Sequence, residues 1–134
     1  MTGSSRVSSV SWSHGARELL LHAGASEGGI ALWSAATGQE VRAFEAHTKR
    51  VWSVHFSPRE HALFVSGSDD ASVKVWSTSR AEPVLSLALG YNVTCAQFSP
   101  DDGNVIAVGT AGHTVQVFDI RSTATPLATL QGKG

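Results

Sequence analysis

Acidic and histidine side chains are the groups in this sequence whose chemistry could support catalysis or metal binding. Asp69 and Asp70 are adjacent in a Ser-Gly-Ser-Asp-Asp run, and paired carboxylates can act as a general acid and a general base. The six histidines lack the spacing of metal ligands; they are His14, His22, His47, His55, His61 and His113. No Gly-x-Ser-x-Gly or phosphate-binding glycine loop occurs. We therefore interpret the aspartates as turn residues and predict no catalytic residue, metal site, cofactor or enzymatic activity.

The charge balance argues against a nucleic-acid partner. Ten Lys and Arg residues are balanced by eleven Asp and Glu residues, for a formal net charge of −1, whereas domains that neutralise phosphates are usually basic. Hydrophobic residues make up 42% of the chain, enough for a packed core. No apolar run is long enough to span a membrane, and the N-terminus does not resemble a secretory signal. We expect neither a nucleic-acid nor a membrane partner.

The single cysteine, Cys95, lies in the apolar run Val93-Thr94-Cys95-Ala96. One cysteine excludes an internal disulfide, and proteins of reducing compartments rarely contain disulfides. Free cysteine is among the most often buried residue types. We therefore predict that Cys95 is a small buried core residue, and we expect the protein in the nucleus and cytoplasm.

The elements that must position these groups repeat along the chain. One set of equivalent aromatic residues, 44 and 42 residues apart, is Trp12, Phe56 and Phe98. A second set, 43 and 42 residues apart, is Trp33, Trp76 and Phe118. A period of about 40–45 residues with four short strands in each unit is the signature of a β-propeller blade. The fold class we predict is therefore all-β, with about three four-stranded blades.

The blades are predicted at approximately 6–46, 47–90 and 91–131, within one repeat segment that spans residues 1–134. Closed propellers usually contain 4–8 blades. Three blades would form an incomplete propeller with two uncovered apolar faces. We therefore expect the remaining blades, or other copies of the repeat, as partners.

The middle unit resembles the WD repeat. In that family a His, a Ser or Thr, an Asp and a Trp form a hydrogen-bonded tetrad, and the matching residues here are His47, Ser66, Asp70 and Trp76. The other units depart from this pattern. Glu27 and Ala23 stand at the Asp and Ser positions of the first unit, and the third has Gly112, Val108 and Phe118 at the Asp, Ser and Trp positions.

A closer resemblance covers approximately residues 40–130. The Lys-Arg-Val-Trp-Ser-Val run from Lys49, joined to the Ser-Gly-Ser-Asp-Asp hairpin, is similar to the C-terminal propeller of the constitutively photomorphogenic ubiquitin ligases and their suppressor-of-phytochrome relatives. The resemblance implies a substrate receptor for light signalling that binds short Val-Pro motifs. Its expected partners are transcription factors and photoreceptors bearing such motifs.

The resemblance also implies a peptide-binding site. Lys49, Arg50 and Trp52 match positions that line the Val-Pro groove, and Tyr91 stands at the corresponding loop of the third unit. Lysine and arginine can bind an acidic flank, while an indole ring gives proline an apolar wall. The alternative is that Trp52 belongs to the core and the basic pair to a solvated turn.

Two other functions stay open from the sequence. One is a generic WD-repeat scaffold that organises a different complex. The other, from a different class, is a propeller hydrolase or metal enzyme, which the missing ligand clusters disfavour.

Overall fold

The computed structural model describes residues 6–15, 19–24 and 28–131, and these residues form three four-stranded antiparallel sheets. The first sheet contains β1 (Val7–Trp12), β2 (Leu19–Gly24), β3 (Gly29–Ser34) and β4 (Glu40–Glu45). The second contains β5 (Val51–Phe56), β6 (Leu63–Ser68), β7 (Ser72–Ser77) and β8 (Leu85–Ala88). The third contains β9 (Val93–Phe98), β10 (Val105–Thr110), β11 (Thr114–Asp119) and β12 (Ala128–Gln131).

Each sheet is a meander in which neighbouring strands in sequence are neighbours in space. Because every strand turns back on the previous one, the order within the second sheet is β5-β6-β7-β8, with β5 at one edge and β8 at the other. The first and third sheets follow the same order. The predicted all-β class with four-stranded propeller blades is confirmed. The predicted boundaries at 46/47 and 90/91 stay a prediction.

The turn between the second and third strands of each blade has one residue in the left-handed backbone region. That residue is Gly28 in the first blade, Ala71 in the second and His113 in the third, with φ of 72°, 66° and 64°. The first blade requires glycine for a second reason, since a Cβ at position 28 would lie 1.9 Å from the His47 carbonyl oxygen. This turn therefore packs directly on the chain entering the second blade.

Two apolar clusters join the three blades. The cluster between the first and second blades contains Leu21, Ala23, Ile30, Leu32, Phe44, Ala46, Val51, Val54, Phe56, Phe64 and Trp76. The cluster between the second and third blades contains Val65, Val73, Val75, Val93, Ala96, Phe98, Ile106, Val108 and Phe118. The middle blade thus contributes one face to each cluster. In every blade, we call the face toward the preceding blade the leading face and the face toward the following blade the trailing face. In the middle blade the leading face contains Val51, Val54 and Phe56, and the trailing face contains Val65, Val73 and Val75.

The innermost strands of successive blades are also joined by side-chain hydrogen bonds to the backbone. Ser9 Oγ accepts from the Val54 amide at 3.2 Å, and Ser53 Oγ, 44 residues later, accepts from the Ala96 amide at 3.2 Å. The side chains of β1 therefore contact the backbone of β5 in the same register in which the side chains of β5 contact the backbone of β9. The inner strands therefore hold the blades at one repeated spacing.

The prediction that Cys95 is buried was wrong, because its side chain is exposed on β9. Its counterpart in the middle blade, Ser53, is buried against the third blade. Cys95 lies on the trailing side of the third blade, which none of the described residues covers. Burial at this strand position depends on the next blade and not on the local apolar run.

Candidate functional site

A chain of hydrogen bonds links the four tetrad residues of the middle blade. The indole N–H of Trp76 donates to Ser66 Oγ at 3.0 Å. Ser66 Oγ lies 2.7 Å from His47 Nε2, and His47 Nδ1 lies 2.9 Å from Asp70 Oδ2. The indole can only donate and an ionised Asp70 can only accept. A neutral His47 therefore donates from Nδ1 and accepts from the Ser66 hydroxyl at Nε2, and the protons run in one direction from Trp76 to Asp70. This direction requires a neutral imidazole that carries its proton on Nδ1.

The electrostatics of the tetrad agree with that assignment. Burial lowers the pKa of His47 below its ordinary value, and the nearby Asp70 carboxylate opposes this shift without reversing it. Burial raises the pKa of Asp70, but hydrogen bonds from Ser72 and the interactions with His47 outweigh it and leave that pKa lowered. The pair is therefore a neutral histidine beside an ionised aspartate.

Asp70 has no geometry for general-base catalysis. Besides His47, its carboxylate accepts from the Ser72 hydroxyl at 2.5 Å, the Ser72 amide at 3.0 Å and the Thr48 amide at 3.2 Å. These bonds tie the β6–β7 turn to the loop that enters β5. The carboxylate therefore fixes the backbone of the blade, as expected for a turn residue.

The first blade has a shorter version of this chain, which the sequence reasoning missed. His22 occupies the position equivalent to Ser66, and its Nδ1 accepts from the indole N–H of Trp33 at 2.8 Å. The prediction that Ala23 occupies this position is wrong, since Ala23 is buried in the cluster with the second blade. The predicted Glu27 lies outside the described residues. The sequence feature that indicates this bond is the spacing of ten residues between His22 and Trp33.

In the third blade the tetrad is replaced by apolar packing and a short polar contact. Val108 and Phe118 are buried in the second cluster. Near the turn, Thr110 Oγ1 lies 2.8 Å from Thr114 Oγ1, and the Gly112 amide donates to Thr110. Only the middle blade of the described residues has all four members of the tetrad.

Trp52 lies at the start of β5, where its side chain is partly exposed. Its indole N–H donates to Asp69 Oδ1 at 2.7 Å. The guanidinium carbon of Arg50 lies 4.8 Å from the centre of the Trp52 ring, within the range of a cation–π interaction. The ring therefore has one edge fixed by Asp69 and one face covered by a cation.

The two adjacent aspartates thus have different roles. Asp70 belongs to the tetrad, whereas Asp69 also accepts from Asn92 Nδ2 of the third blade at 3.0 Å. In addition, the Asp69 amide donates to the Arg50 carbonyl at 2.9 Å. Asp69 therefore connects the entry loops of two blades, and its side chain contacts the predicted site residue Trp52, a contact that the sequence did not indicate.

Lys49 and Tyr91 complete the set of predicted site residues. The side chain of Lys49 is exposed, and its carbonyl accepts from Ser68 Oγ at 3.2 Å. Tyr91 is 58% exposed, and its ring lies against Gly112, where an added Cβ would be 3.0 Å from the ring atoms. The structure therefore brings Arg50 and Trp52 together, while Tyr91 packs on a turn of its own blade.

This surface combines an exposed aromatic ring, cations and a carboxylate that is fixed by hydrogen bonds. Across residues 6–15, 19–24 and 28–131 no three His, Cys, Asp or Glu side chains are grouped as they would be to hold a metal ion. Within that same part of the chain, no helix has the length and apolar character needed to cross a membrane. The arrangement suits the binding of an extended polypeptide.

Comparison with known proteins gives a consistent result. The family model described as "WD domain, G-beta repeat" matches residues 38–77 and 82–119. Each match begins at or just before the outermost strand of one blade and ends with the third strand of the next. The sequence repeat is therefore offset from the structural blade by one strand.

The similar curated proteins include E3 ubiquitin-protein ligases and SUPPRESSOR OF PHYA-105 proteins. The E3 ubiquitin-protein ligase COP1 of Pisum sativum is 36% identical over 132 residues, which cover 98% of this chain and 20% of that protein. Protein SUPPRESSOR OF PHYA-105 1 of Arabidopsis thaliana is 38% identical over 132 residues, with coverage of 98% and 13%. The chain thus spans about a fifth or less of the length of these relatives.

A more distant relative is WD repeat and SOCS box-containing protein 1 of Xenopus tropicalis, 31% identical over 121 residues that cover 87% of this chain and 28% of that protein. The blades, the tetrad and the family match agree with one another. The chain belongs to the WD40 family, as a protein-interaction segment homologous to part of the COP1 and SUPPRESSOR OF PHYA-105 1 proteins.

Proposed function

We propose that this chain binds short Val-Pro peptide motifs on the surface formed by Lys49, Arg50, Trp52 and Tyr91. In this role it is part of the substrate-receptor propeller of a photomorphogenesis-type ubiquitin ligase, or of a regulator of that ligase. The observation that carries the proposal is the Trp52 ring, held at its edge by Asp69 and stacked by Arg50. A ring fixed before binding loses little conformational freedom when a ligand arrives.

The chemistry of the surface selects the kind of peptide. Proline packs well on an indole because its apolar ring C–H groups contact the face of the aromatic ring. Lys49 and the Arg50 guanidinium add positive charge beside the ring, which favours a peptide with an acidic flank through charge-assisted hydrogen bonds. Tyr91 adds a second exposed aromatic ring at the entry to the next blade.

The proposed role is non-catalytic. Ligase activity in the relatives belongs to proteins about five times longer than this chain, so we assign only recognition to these residues. The partners we propose are transcription factors and photoreceptors that carry Val-Pro motifs, in the nucleus and cytoplasm. The similarity to COP1 and to SUPPRESSOR OF PHYA-105 1 over 98% of the chain supports this choice among WD40 functions.

Titration of a fluorescently labelled acidic Val-Pro peptide tests the proposal. We expect saturable binding to the chain, and the Trp52→Ala variant should bind roughly tenfold or more weakly, as expected for a central aromatic residue of a binding site. Arg50→Ala should weaken binding mainly at low salt. The matched control is Arg121→Ala, which removes an exposed arginine paired with Asp119 on another surface.

Peptide with Ala-Ala in place of Val-Pro is the second control. If it binds as tightly as the Val-Pro peptide, or if Trp52→Ala binds normally while retaining its fold by circular dichroism, this surface is not a Val-Pro site. A generic WD-repeat scaffold would then be the better description.

A further inference from the structure

The amide side chain of Asn92 lies beside the Trp52 ring. Asn92 is in the loop that enters β9, its side chain is exposed, and its Nδ2 donates to Asp69 Oδ1 at 3.0 Å. The same oxygen accepts from the Trp52 indole N–H at 2.7 Å. Because both nitrogens lie within hydrogen-bond distance of one oxygen, the Asn92 amide is a direct neighbour of the indole on which we place the proline of the ligand.

Asp69 also fixes the orientation of the Asn92 amide. An ionised carboxylate can only accept, so the atom of Asn92 that faces it is the nitrogen and not the oxygen. This bond uses one of the two Nδ2 hydrogens. Among the residues that the structure describes, no donor reaches Asn92 Oδ1 and no second acceptor reaches Nδ2. One acceptor and one donor of an oriented amide are therefore open toward solvent.

The loop that enters β9 is attached to its own blade through the backbone. The Ala111 amide donates to the Asn92 carbonyl at 2.9 Å, and in the middle blade the Asp69 amide donates to the Arg50 carbonyl at 2.9 Å. Asn92 and Arg50 each directly precede the inner strand of their blade, so the two positions are equivalent. Since the same backbone bond holds both loops, the open edge of the Asn92 amide is not needed for that purpose.

An extended peptide presents groups that match this open edge. In an extended chain the N–H and the C=O of one residue point to the same side, as they do in the hydrogen-bonded pairs of an antiparallel sheet. A carboxamide has an acceptor and a donor side by side. The Asn92 amide can therefore bind both main-chain groups of a single ligand residue.

The Val-Pro motif determines which ligand residue this is. Proline has no N–H, so it cannot make both bonds. The residue before a proline is restricted to extended conformations, and in this motif that residue is the valine. Extended polyproline-type segments make no internal hydrogen bonds, so both main-chain groups of the valine are available. With the proline on the Trp52 ring, the valine is its immediate neighbour along the peptide.

We propose that Asn92 binds the main chain of the ligand valine, so that Oδ1 accepts from the valine N–H and the second Nδ2 hydrogen is donated to the valine C=O. This assignment rests on the proposed function and adds a residue that contacts the peptide backbone to those that contact its side chains. Asp69 Oδ1 holds both Asn92 and Trp52. The site therefore has a fixed spacing between its contact for proline and its contact for the extended residue before it.

Peptides with one backbone ester test this contact in the unchanged protein. The hydroxy-acid analogue of valine removes the valine N–H and retains the valine side chain. We expect this ester peptide to bind roughly fivefold more weakly than the parent acidic Val-Pro peptide, as for the loss of one hydrogen bond. The control is an ester one residue earlier, which removes an N–H that points to the opposite side and should leave the affinity unchanged.

Asn92→Ala completes a double-mutant cycle with the valine ester. The variant should bind the parent peptide roughly fivefold to tenfold more weakly. It should bind the parent and the valine ester equally, because the acceptor for the valine N–H is gone. The matched control is Asn104→Ala, the same substitution in the turn between β9 and β10 at the other end of β9, which should preserve the difference between the two peptides.

Two outcomes distinguish an error in this contact from an error in the proposed function. If the parent peptide binds through Trp52 but the valine ester costs nothing, or costs as much in Asn92→Ala as in the unchanged chain, then Asn92 only joins the two blades and the Val-Pro site stands without it. If the parent peptide binds no better than one with Ala-Ala in place of Val-Pro, both the site and the Asn92 contact are wrong.

Discussion

Asp69 lies in the turn between β6 and β7, and its Oδ1 accepts from the indole N–H of Trp52 on β5 at 2.7 Å. The same oxygen accepts from Asn92 Nδ2 at 3.0 Å. One carboxylate oxygen thus orients an aromatic ring of the second blade and anchors the entry loop of the third. Asp69 is adjacent to the tetrad residue Asp70 in the β6–β7 hairpin, so the tetrad indirectly fixes the orientation of the Trp52 ring.

We predict that Asp69→Ala weakens binding of the Val-Pro peptide severalfold while the chain stays folded. The variant leaves the Trp52 indole and the Asn92 amide without their acceptor, so the ring gains freedom that binding must then remove. The loss should be smaller than that of Trp52→Ala, because the apolar surface of the ring is retained. Fluorescence anisotropy of the labelled peptide measures the difference.

The matched control is Asp69→Asn, which retains an Oδ1 acceptor and removes the charge. It should bind as well as the unchanged chain, or somewhat better at low salt if the peptide has an acidic flank. Equal affinity of Asp69→Ala and the unchanged chain would show that Trp52 needs no such anchor.

We predict that Ser66→Ala destabilises the chain by about 1–3 kcal/mol, the usual cost of leaving buried polar groups without a partner. Ser66 Oγ accepts from Trp76 Nε1 and bonds to His47 Nε2, and Ser66 is fully buried. Its removal leaves both neighbours unsatisfied. Urea unfolding followed by tryptophan fluorescence gives the free energy of unfolding.

Ser86→Ala is the control for the tetrad prediction. Ser86 accepts from Lys74 Nζ in an exposed contact, so its loss should change the free energy of unfolding by less than about 0.5 kcal/mol. If the two serine variants unfold at the same urea concentration, the tetrad does not stabilise the blade.

The spacing of aromatic residues was sufficient to predict the three blades, because equivalent aromatic residues recur at the same strand position of each blade. The spacing failed for His22. Four residues separate β2 from β3, whereas three separate β6 from β7. The 43-residue offset between Trp33 and Trp76, applied to Ser66, therefore gives Ala23 instead of His22. An error of one residue in a strand moves the side chain to the other face of the sheet.

The errors at Cys95 and Asp69 have a different cause. The burial of Cys95 is decided by a neighbouring blade. The partners of Asp69 are Trp52, 17 residues earlier in the chain, and Asn92, 23 residues later. Local patterns contain no information on such contacts. The tetrad could be predicted because its members repeat a family pattern, whereas the anchor of Trp52 required the fold.

We predict that the free energy of unfolding falls as the pH is lowered through about 6.5. Burial lowers the pKa of His22, His47 and His55 in the folded chain. Below the ordinary histidine pKa of about 6.5, the unfolded chain binds more protons than the folded one, so acid favours unfolding. Geometry points the same way, since Nδ1 of His22 and of His55 accepts a hydrogen bond that a protonated ring cannot accept.

Urea unfolding at a series of pH values from 8 to 5 measures this slope. His55→Gln should reduce it, because glutamine can accept from the Phe98 amide without titrating in this range. Ser86→Ala should leave the slope unchanged. Stability that is constant between pH 8 and 5 would contradict the neutral state of these histidines.

We predict that Gly28→Ala destabilises the chain more than Gly38→Ala does. Both glycines have φ near 72°, so alanine at either position costs about 1–2 kcal/mol of backbone strain. At position 28 the added Cβ would also lie 1.9 Å from the His47 carbonyl oxygen, whereas at position 38 nothing lies within 4 Å. The difference in free energy of unfolding between the two variants therefore isolates the cost of moving the His47 backbone, which supports the tetrad. Equal destabilisation would mean that the loop entering the second blade shifts freely away from the Gly28 turn.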